Sequence, residues 1–107
     1  MMYADVILPL PLAGLFTYAL PDDMVRDVKV GCRLVVPFGT RKVYTAIVAR
    51  VHHDAPAFET KPALELLDPH PVVLESQLWL WHWIADYYLC TIGEVYKAAL
   101  PSGLKLE

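Results

Sequence analysis

Gly31-Cys32-Arg33-Leu34-Val35-Val36-Pro37-Phe38-Gly39-Thr40-Arg41-Lys42-Val43-Tyr44-Thr45-Ala46-Ile47-Val48-Ala49-Arg50-Val51-His52 is the stretch whose reading decides the fold. An apolar, β-branched run opens after Gly31 and closes at Gly39, which predicts a strand over Cys32–Phe38. A second run, Val43–His52, places Val43, Thr45, Ile47, Ala49 and Val51 on one face by its period of two. The four-residue link Gly39-Thr40-Arg41-Lys42 is short enough to join the two runs as an antiparallel hairpin.

Upstream, Tyr3–Leu8 alternates, with Ala4, Val6 and Leu8 on one side and Tyr3, Asp5 and Ile7 on the other. It stops at Pro9 and Pro11, which have no N–H to give a ladder. Phe16–Leu20 predicts another strand, ended by the turn residues Pro21-Asp22-Asp23. Downstream, a polar loop holding Pro56 and Pro62 leads to a short strand at Leu64–Leu67. The period then changes. Leu74, Leu78, Trp81, Ala85 and Tyr88 recur at helical spacing, with Trp79, Trp83 and Tyr87 as a second stripe. Packing of all these aromatics, Trp79, Trp81, Trp83, Tyr87 and Tyr88, against the sheet is the default expectation. Thr91-Ile92-Gly93-Glu94 fits a capping box for a second helix, which ends by Leu100 because Pro101 follows. The chain therefore reads as one mainly β (α+β) domain over residues 1–107. A small antiparallel barrel of four to six short strands (1–68) is followed by two helices (74–101).

The 107 residues are 56% apolar and 20% charged, enough apolar surface to fold, which excludes a disordered tail. The longest apolar run, Leu78–Ala85, is interrupted by His82 and falls far short of the ~20 residues of a membrane span. The apolar opening lacks a basic leader and carries Asp5, so a cytoplasmic location is expected. Cys32 and Cys90 lack metal spacing and agree with a reducing compartment. His52-His53 point to opposite faces of a strand and cannot share a metal. No phosphate-binding loop, nucleophile elbow or dinucleotide fingerprint occurs, so a binding module is expected rather than an enzyme. The net charge of −3 is unevenly placed. Residues 26–61 hold seven bases against three acids, a net +4, and Arg41 and Lys42 fall beside Phe38 and Gly39. Rings and bare backbone beside cations are what a single-stranded base and its phosphate require.

Leu8-Pro9-Leu10-Pro11-Leu12, Phe16-Thr17-Tyr18 and Gly31-Cys32-Arg33-Leu34-Val35-Val36-Pro37-Phe38-Gly39 resemble the amino terminus of the primosomal protein N′ (PriA) family of replication-restart DNA helicases. Ala46-Ile47-Val48, Lys61, Leu66-Leu67-Asp68, Ala85-Asp86-Tyr87-Tyr88, Ile92-Gly93-Glu94-Val95 and Ala99-Leu100-Pro101 continue the resemblance across nearly the whole chain. It implies an OB-like 3′-DNA-binding domain, part of a larger helicase, that holds the 3′ end of the nascent leading strand at a stalled fork. By the same resemblance, Phe16, Thr17, Gly39 and Lys61 bind the terminal nucleotide. Thr17 stands where some members have an aspartate: it keeps a hydroxyl donor and acceptor but loses the carboxylate, and a backbone contact there does not depend on that change. Arg41 and Lys42 are expected to hold the DNA backbone. The implied partners are single-stranded and forked DNA with a free 3′-hydroxyl, the helicase core, single-strand-binding protein and other primosome proteins, and no membrane. No cofactor is expected in this chain; ATP and zinc are implied only for the rest of a full-length member. The competing readings are an OB-like protein-interaction module that uses the Trp-rich helix, and an RNA-binding relative.

Overall fold

The computed structural model describes residues 2–68 and 70–99. Five strands, β1 (Met2–Ile7), β2 (Phe16–Leu20), β3 (Arg33–Phe38), β4 (Lys42–His52) and β5 (Glu65–Leu66), form one antiparallel sheet in the order β2-β1-β4-β3-β5. Two helices follow, α1 (Glu75–Tyr88) and α2 (Ile92–Ala99). This is the mainly β, OB-like architecture expected from the sequence, with the sheet curled about its own apolar face.

The hairpin forms as predicted, Phe38 pairing with Lys42 and Leu34 with Ala46. The long β4 also pairs with β1, and there the register shifts: Asp5 faces Arg50 while Val6 faces Val48, so Ala49 is the extra residue of a bulge. A bulge bends its strand and inverts the alternation beyond it. That corrects the predicted face of β4. Thr45, Ile47 and Ala49 do lie together, but Val51 packs with Ala46 and Val48 inside the barrel, and Val43 is exposed at the hairpin. Both faces of β4 are buried over Thr45–Val48, one by the barrel interior and one by the helices.

The interior holds Ala4, Val6, Leu8, Tyr18, Leu20, Leu34, Val36, Ala46 and Val48. The barrel is closed by chain that carries no strand pattern. Ala19 N–H donates to the Lys61 carbonyl at 3.0 Å and Ala63 N–H to the Ala19 carbonyl at 2.9 Å, while Leu64 N–H reaches the Val35 carbonyl at 2.8 Å. The segment from Lys61 to Leu64 thus spans from β2 to β3. Only Glu65–Leu66 of the predicted Leu64–Leu67 strand pairs in a regular ladder. Asp68 fixes the end of this seam: Arg33 Nε donates to Oδ2 at 2.8 Å and Arg33 Nη2 to Oδ1 at 2.9 Å, a two-pronged pair.

On the outer face, Ile7 and Ile47 meet Leu78, Trp81, Ala85, Ile92, Val95 and Tyr96. Trp81 stacks on Tyr96 with ring centres 5.8 Å apart, and the Tyr96 hydroxyl donates to the Thr45 carbonyl at 2.8 Å. Burial pushes the Tyr96 phenol up to about 12. The capping box of α2 is present: Glu94 N–H donates to Thr91 Oγ1 at 3.2 Å and Thr91 N–H to Glu94 Oε1 at 3.0 Å. Gly93 lets α2 approach the chain after β1, because a Cβ there would overlap the carbonyl oxygens of Leu8 and Leu10.

The aromatics of α1 correct the default expectation. Only Trp81 is buried; Trp79, Trp83 and Tyr87 are 67%, 49% and 66% exposed. At about 100° per residue they lie on the side opposite Leu78, Trp81 and Ala85. Leu74 and Tyr88 share the angle of the buried face but fall at the helix ends, beyond its packing, and are also exposed. Cys32 is buried just ahead of β3 rather than within it, and Cys90 is half-buried after α1. The predicted helix end at Leu100–Pro101 lies outside the described residues. Among those described, no helix is long and apolar enough to cross a membrane.

Candidate nucleic-acid interface

The seam at Ala19 decides where the barrel opens. In an antiparallel pair, backbone groups alternate between the two edges of a strand. Ala19 spends its N–H and carbonyl on Lys61 and Ala63, away from β1. Thr17, two residues earlier, therefore aims its N–H and carbonyl out of the same edge, and among the described residues neither bonds to the loop opposite. On β3, Pro37 sits beyond the β5 ladder, where a missing N–H leaves nothing unpaired. The buried Tyr18 hydroxyl crosses to donate to the Pro37 carbonyl at 2.7 Å, and burial raises the Tyr18 phenol above its usual value.

Between these edges lies an open cleft of about 260 Å³. Phe16, Thr17, Phe38, Gly39, Phe58 and Lys61 line it, with Glu59 and Thr60 completing the rim. Phe16 and Phe38 meet edge to face at 5.7 Å, the rings forming one wall. Gly39 turns the chain at φ +72°, a left-handed conformation that glycine adopts without strain. The Lys61 ammonium donates to the Gly39 carbonyl at 2.8 Å, tying the closing segment to the hairpin tip. The structure thus brings Phe16, Thr17, Gly39 and Lys61 together around one space, although 45 positions separate the first from the last.

Thr17 contributes its backbone only. Its hydroxyl donates to Asp5 Oδ1 at 2.6 Å on the outer face of the sheet. His52 Nε2 lies 2.9 Å from the same oxygen, and Tyr3 stacks on the His52 ring. Arg41 and Lys42 do not line the cleft. They are exposed on the hairpin and line the neighbouring groove, which shares Phe38 and Gly39 with it.

Among the lining residues not singled out as site residues from the sequence, Phe58 and Glu59 bear most on the chemistry. Phe58 is 63% exposed, a ring presented at the mouth of the cleft. The signal was a lone aromatic in a polar, proline-flanked loop, which local pattern does not distinguish from a barrel residue. Glu59, an exposed acidic residue, lines the same cleft. Among the described residues no group of three or more His, Cys, Asp or Glu could hold a metal ion.

Rings, main-chain polar groups and an ammonium around one cleft suit a nucleotide whose base identity is not read. Comparison with known proteins bears on this directly. Residues 5–101 match a family model described as the 3′DNA-binding domain (3′BD) of PriA. The chain is 40% identical over 108 residues to replication restart protein PriA of Haemophilus influenzae and 32% identical over 111 residues to that of Bacillus subtilis. These alignments cover 98% and 100% of this chain and 14% of each relative, so the chain spans about a seventh of their length. PriA of Synechocystis sp. is 31% identical over 95% of the chain.

Proposed function

The chain belongs to the PriA 3′DNA-binding-domain family, and from that premise we propose that its cleft holds the 3′-hydroxyl end of a single DNA strand. The observation that carries this is the convergence of Phe16, the Thr17 backbone, Gly39 and Lys61 on one small open cleft. A protein that acts at forks must accept any terminal base. Ring contact from Phe16, Phe38 or Phe58 is sequence-tolerant and worth about 1–3 kcal/mol per base. The Thr17 main chain and the Glu59 carboxylate offer acceptors to a terminal hydroxyl, while Lys61 offsets the charge of the adjoining phosphate. Arg41 and Lys42 hold the strand's backbone where it leaves the cleft.

In a full-length member this domain presents the nascent leading-strand end at a stalled fork to an ATP-driven helicase core, with ATP and zinc bound outside this stretch. Single-strand-binding protein and other primosome proteins are its proposed partners there. Fluorescence anisotropy with oligonucleotides ending in a 3′-hydroxyl, a 3′-phosphate or a blocked 5′ end tests the assignment. A terminal phosphate adds charge next to Glu59 and leaves cleft groups unpaired, at about 1–3 kcal/mol or roughly tenfold to a hundredfold in affinity. The blocked 5′ end should change nothing. Equal binding of all three removes end recognition.

A second reading, favoured by the exposed Trp79, Trp83 and Tyr87, is a protein-interaction module that works through α1. A module of that kind alone would show no salt-dependent binding of a labelled single strand.

A further inference from the structure

We propose that the groove beside the cleft is a second nucleotide subsite, taking the penultimate nucleotide of the same strand. The proposal rests on the reading of the cleft as a 3′-end site. The groove has a volume of about 440 Å³ and is lined by Leu10, Pro11, Leu12, Arg41, Lys42 and Tyr44, together with the shared Phe38 and Gly39. Because Phe38 and Gly39 belong to both spaces, the cleft and the groove adjoin, and a strand leaving one meets the other.

Three features of the groove fit a nucleotide. The first is a row of rings running from one space to the other: Phe16 meets Phe38 at 5.7 Å and Phe38 meets Tyr44 at 6.0 Å. The second is an apolar lip. Leu12 is 40% exposed, and Pro9 and Pro11 stiffen the segment that carries it. The third is charge: Arg41 and Lys42 are both exposed, and among the described residues no carboxylate lines the groove. A site for phosphate alone needs no apolar lip, and a site for an apolar peptide needs no paired cations. A base lying on Tyr44 against Leu12, with its phosphate at the hairpin, uses both. A lining without carboxylates offers no acidic acceptor to an exocyclic amine, so this subsite is tolerant of base identity.

The test uses the chain as it stands and 3′-hydroxyl oligodeoxynucleotides of one, two and three residues, followed by calorimetry or competition anisotropy at fixed salt. Adding the second nucleotide should tighten binding by at least about fivefold, the lower end of what stacking one base is worth. A trinucleotide with an abasic penultimate residue should lose that gain. Leu12→Glu, at an exposed position, should abolish the gain from one to two nucleotides and leave the mononucleotide unchanged; Tyr44→Leu should blunt the penalty of the abasic residue. If the abasic strand binds like the intact one while the 3′-hydroxyl preference persists, the groove is no subsite and the cleft assignment stands alone. If Leu12→Glu weakens the mononucleotide equally, the two spaces are not separate sites and the proposal falls. Loss of 3′-hydroxyl preference at every length overturns the cleft reading, and this one with it.

Discussion

Gly39 is where the geometry of the interface can be separated from the stability of the barrel. It turns at φ +72°, and a Cβ built there would meet nothing within 4 Å. A Cβ at this position therefore has no steric cost, only the conformational one. For a β-branched residue the left-handed region costs about 1–2 kcal/mol, whereas asparagine visits it readily. Gly39→Val should lower the unfolding free energy by about 1–2 kcal/mol, or about 4–8 °C in Tm for each kcal/mol in a domain of this size. Gly39→Asn should stay within ~0.5 kcal/mol of the parent. Binding should not follow that order. Gly39 borders both the cleft and the groove, so either side chain enters the space a terminal nucleotide would occupy. Both variants should bring the preference for a 3′-hydroxyl over a 3′-phosphate below about twofold, against roughly tenfold or more in the parent. Urea titration gives the stabilities and anisotropy the preferences. Full discrimination by a stable Gly39→Asn would take Gly39 out of the site, and an unperturbed Gly39→Val would refute the conformational argument itself.

Three further outcomes are expected. Arg41→Glu with Lys42→Glu should weaken single strands of every sequence and flatten the slope of log K against log salt by about 0.7 for each phosphate no longer neutralised, read from anisotropy at several salt concentrations. Gly93→Ala should destabilise by about 1–3 kcal/mol in urea, because the new methyl overlaps the Leu8 and Leu10 carbonyls and pushes α2 off the sheet. Hydrogen bonding by Arg33 holds the Asp68 carboxyl below its usual value, so that pair stabilises the fold above about pH 4. Its contribution should be lost as pH falls through the lowered pKa, and Asp68→Asn should remove this part of the acid dependence in urea titrations between pH 2 and 6.

The hairpin at Phe38–Lys42, the strand Phe16–Leu20 and the Thr91–Glu94 capping box were all legible because each is decided by residues within a few positions of one another. The bulge at Ala49 was not. It reflects how β4 must bend to pair with β1 and β3 at once, and nothing in Val43–His52 marks it. The seam through Lys61 and Ala63 escaped for a similar reason, since its partner Ala19 lies about forty positions away and its own sequence is a proline loop. The cleft inherits that difficulty. Phe16, Gly39 and Lys61 each read locally as an ordinary strand, turn or loop residue, and only the family resemblance grouped them. Phe58 and Glu59, on the same loop as Lys61, had no such guide. The outer stripe of α1 was visible as a pattern, but helical spacing reports a face and not what covers it.

Among the described residues, two backbone hydrogen bonds at Ala19 join β2 to the segment from Lys61 to Ala63, against a full ladder along every other neighbouring pair of long strands. Joints of that kind open locally well before a domain unfolds. Lys61 belongs to this joint and to the cleft, so an occupant that touches both β2 and Lys61 binds only when the joint is shut. By mass action its binding energy is added to closure. On the proposed function, this joint is where the empty domain would open most readily, and capture of a strand end there would act as a latch, leaving the barrel most rigid when loaded.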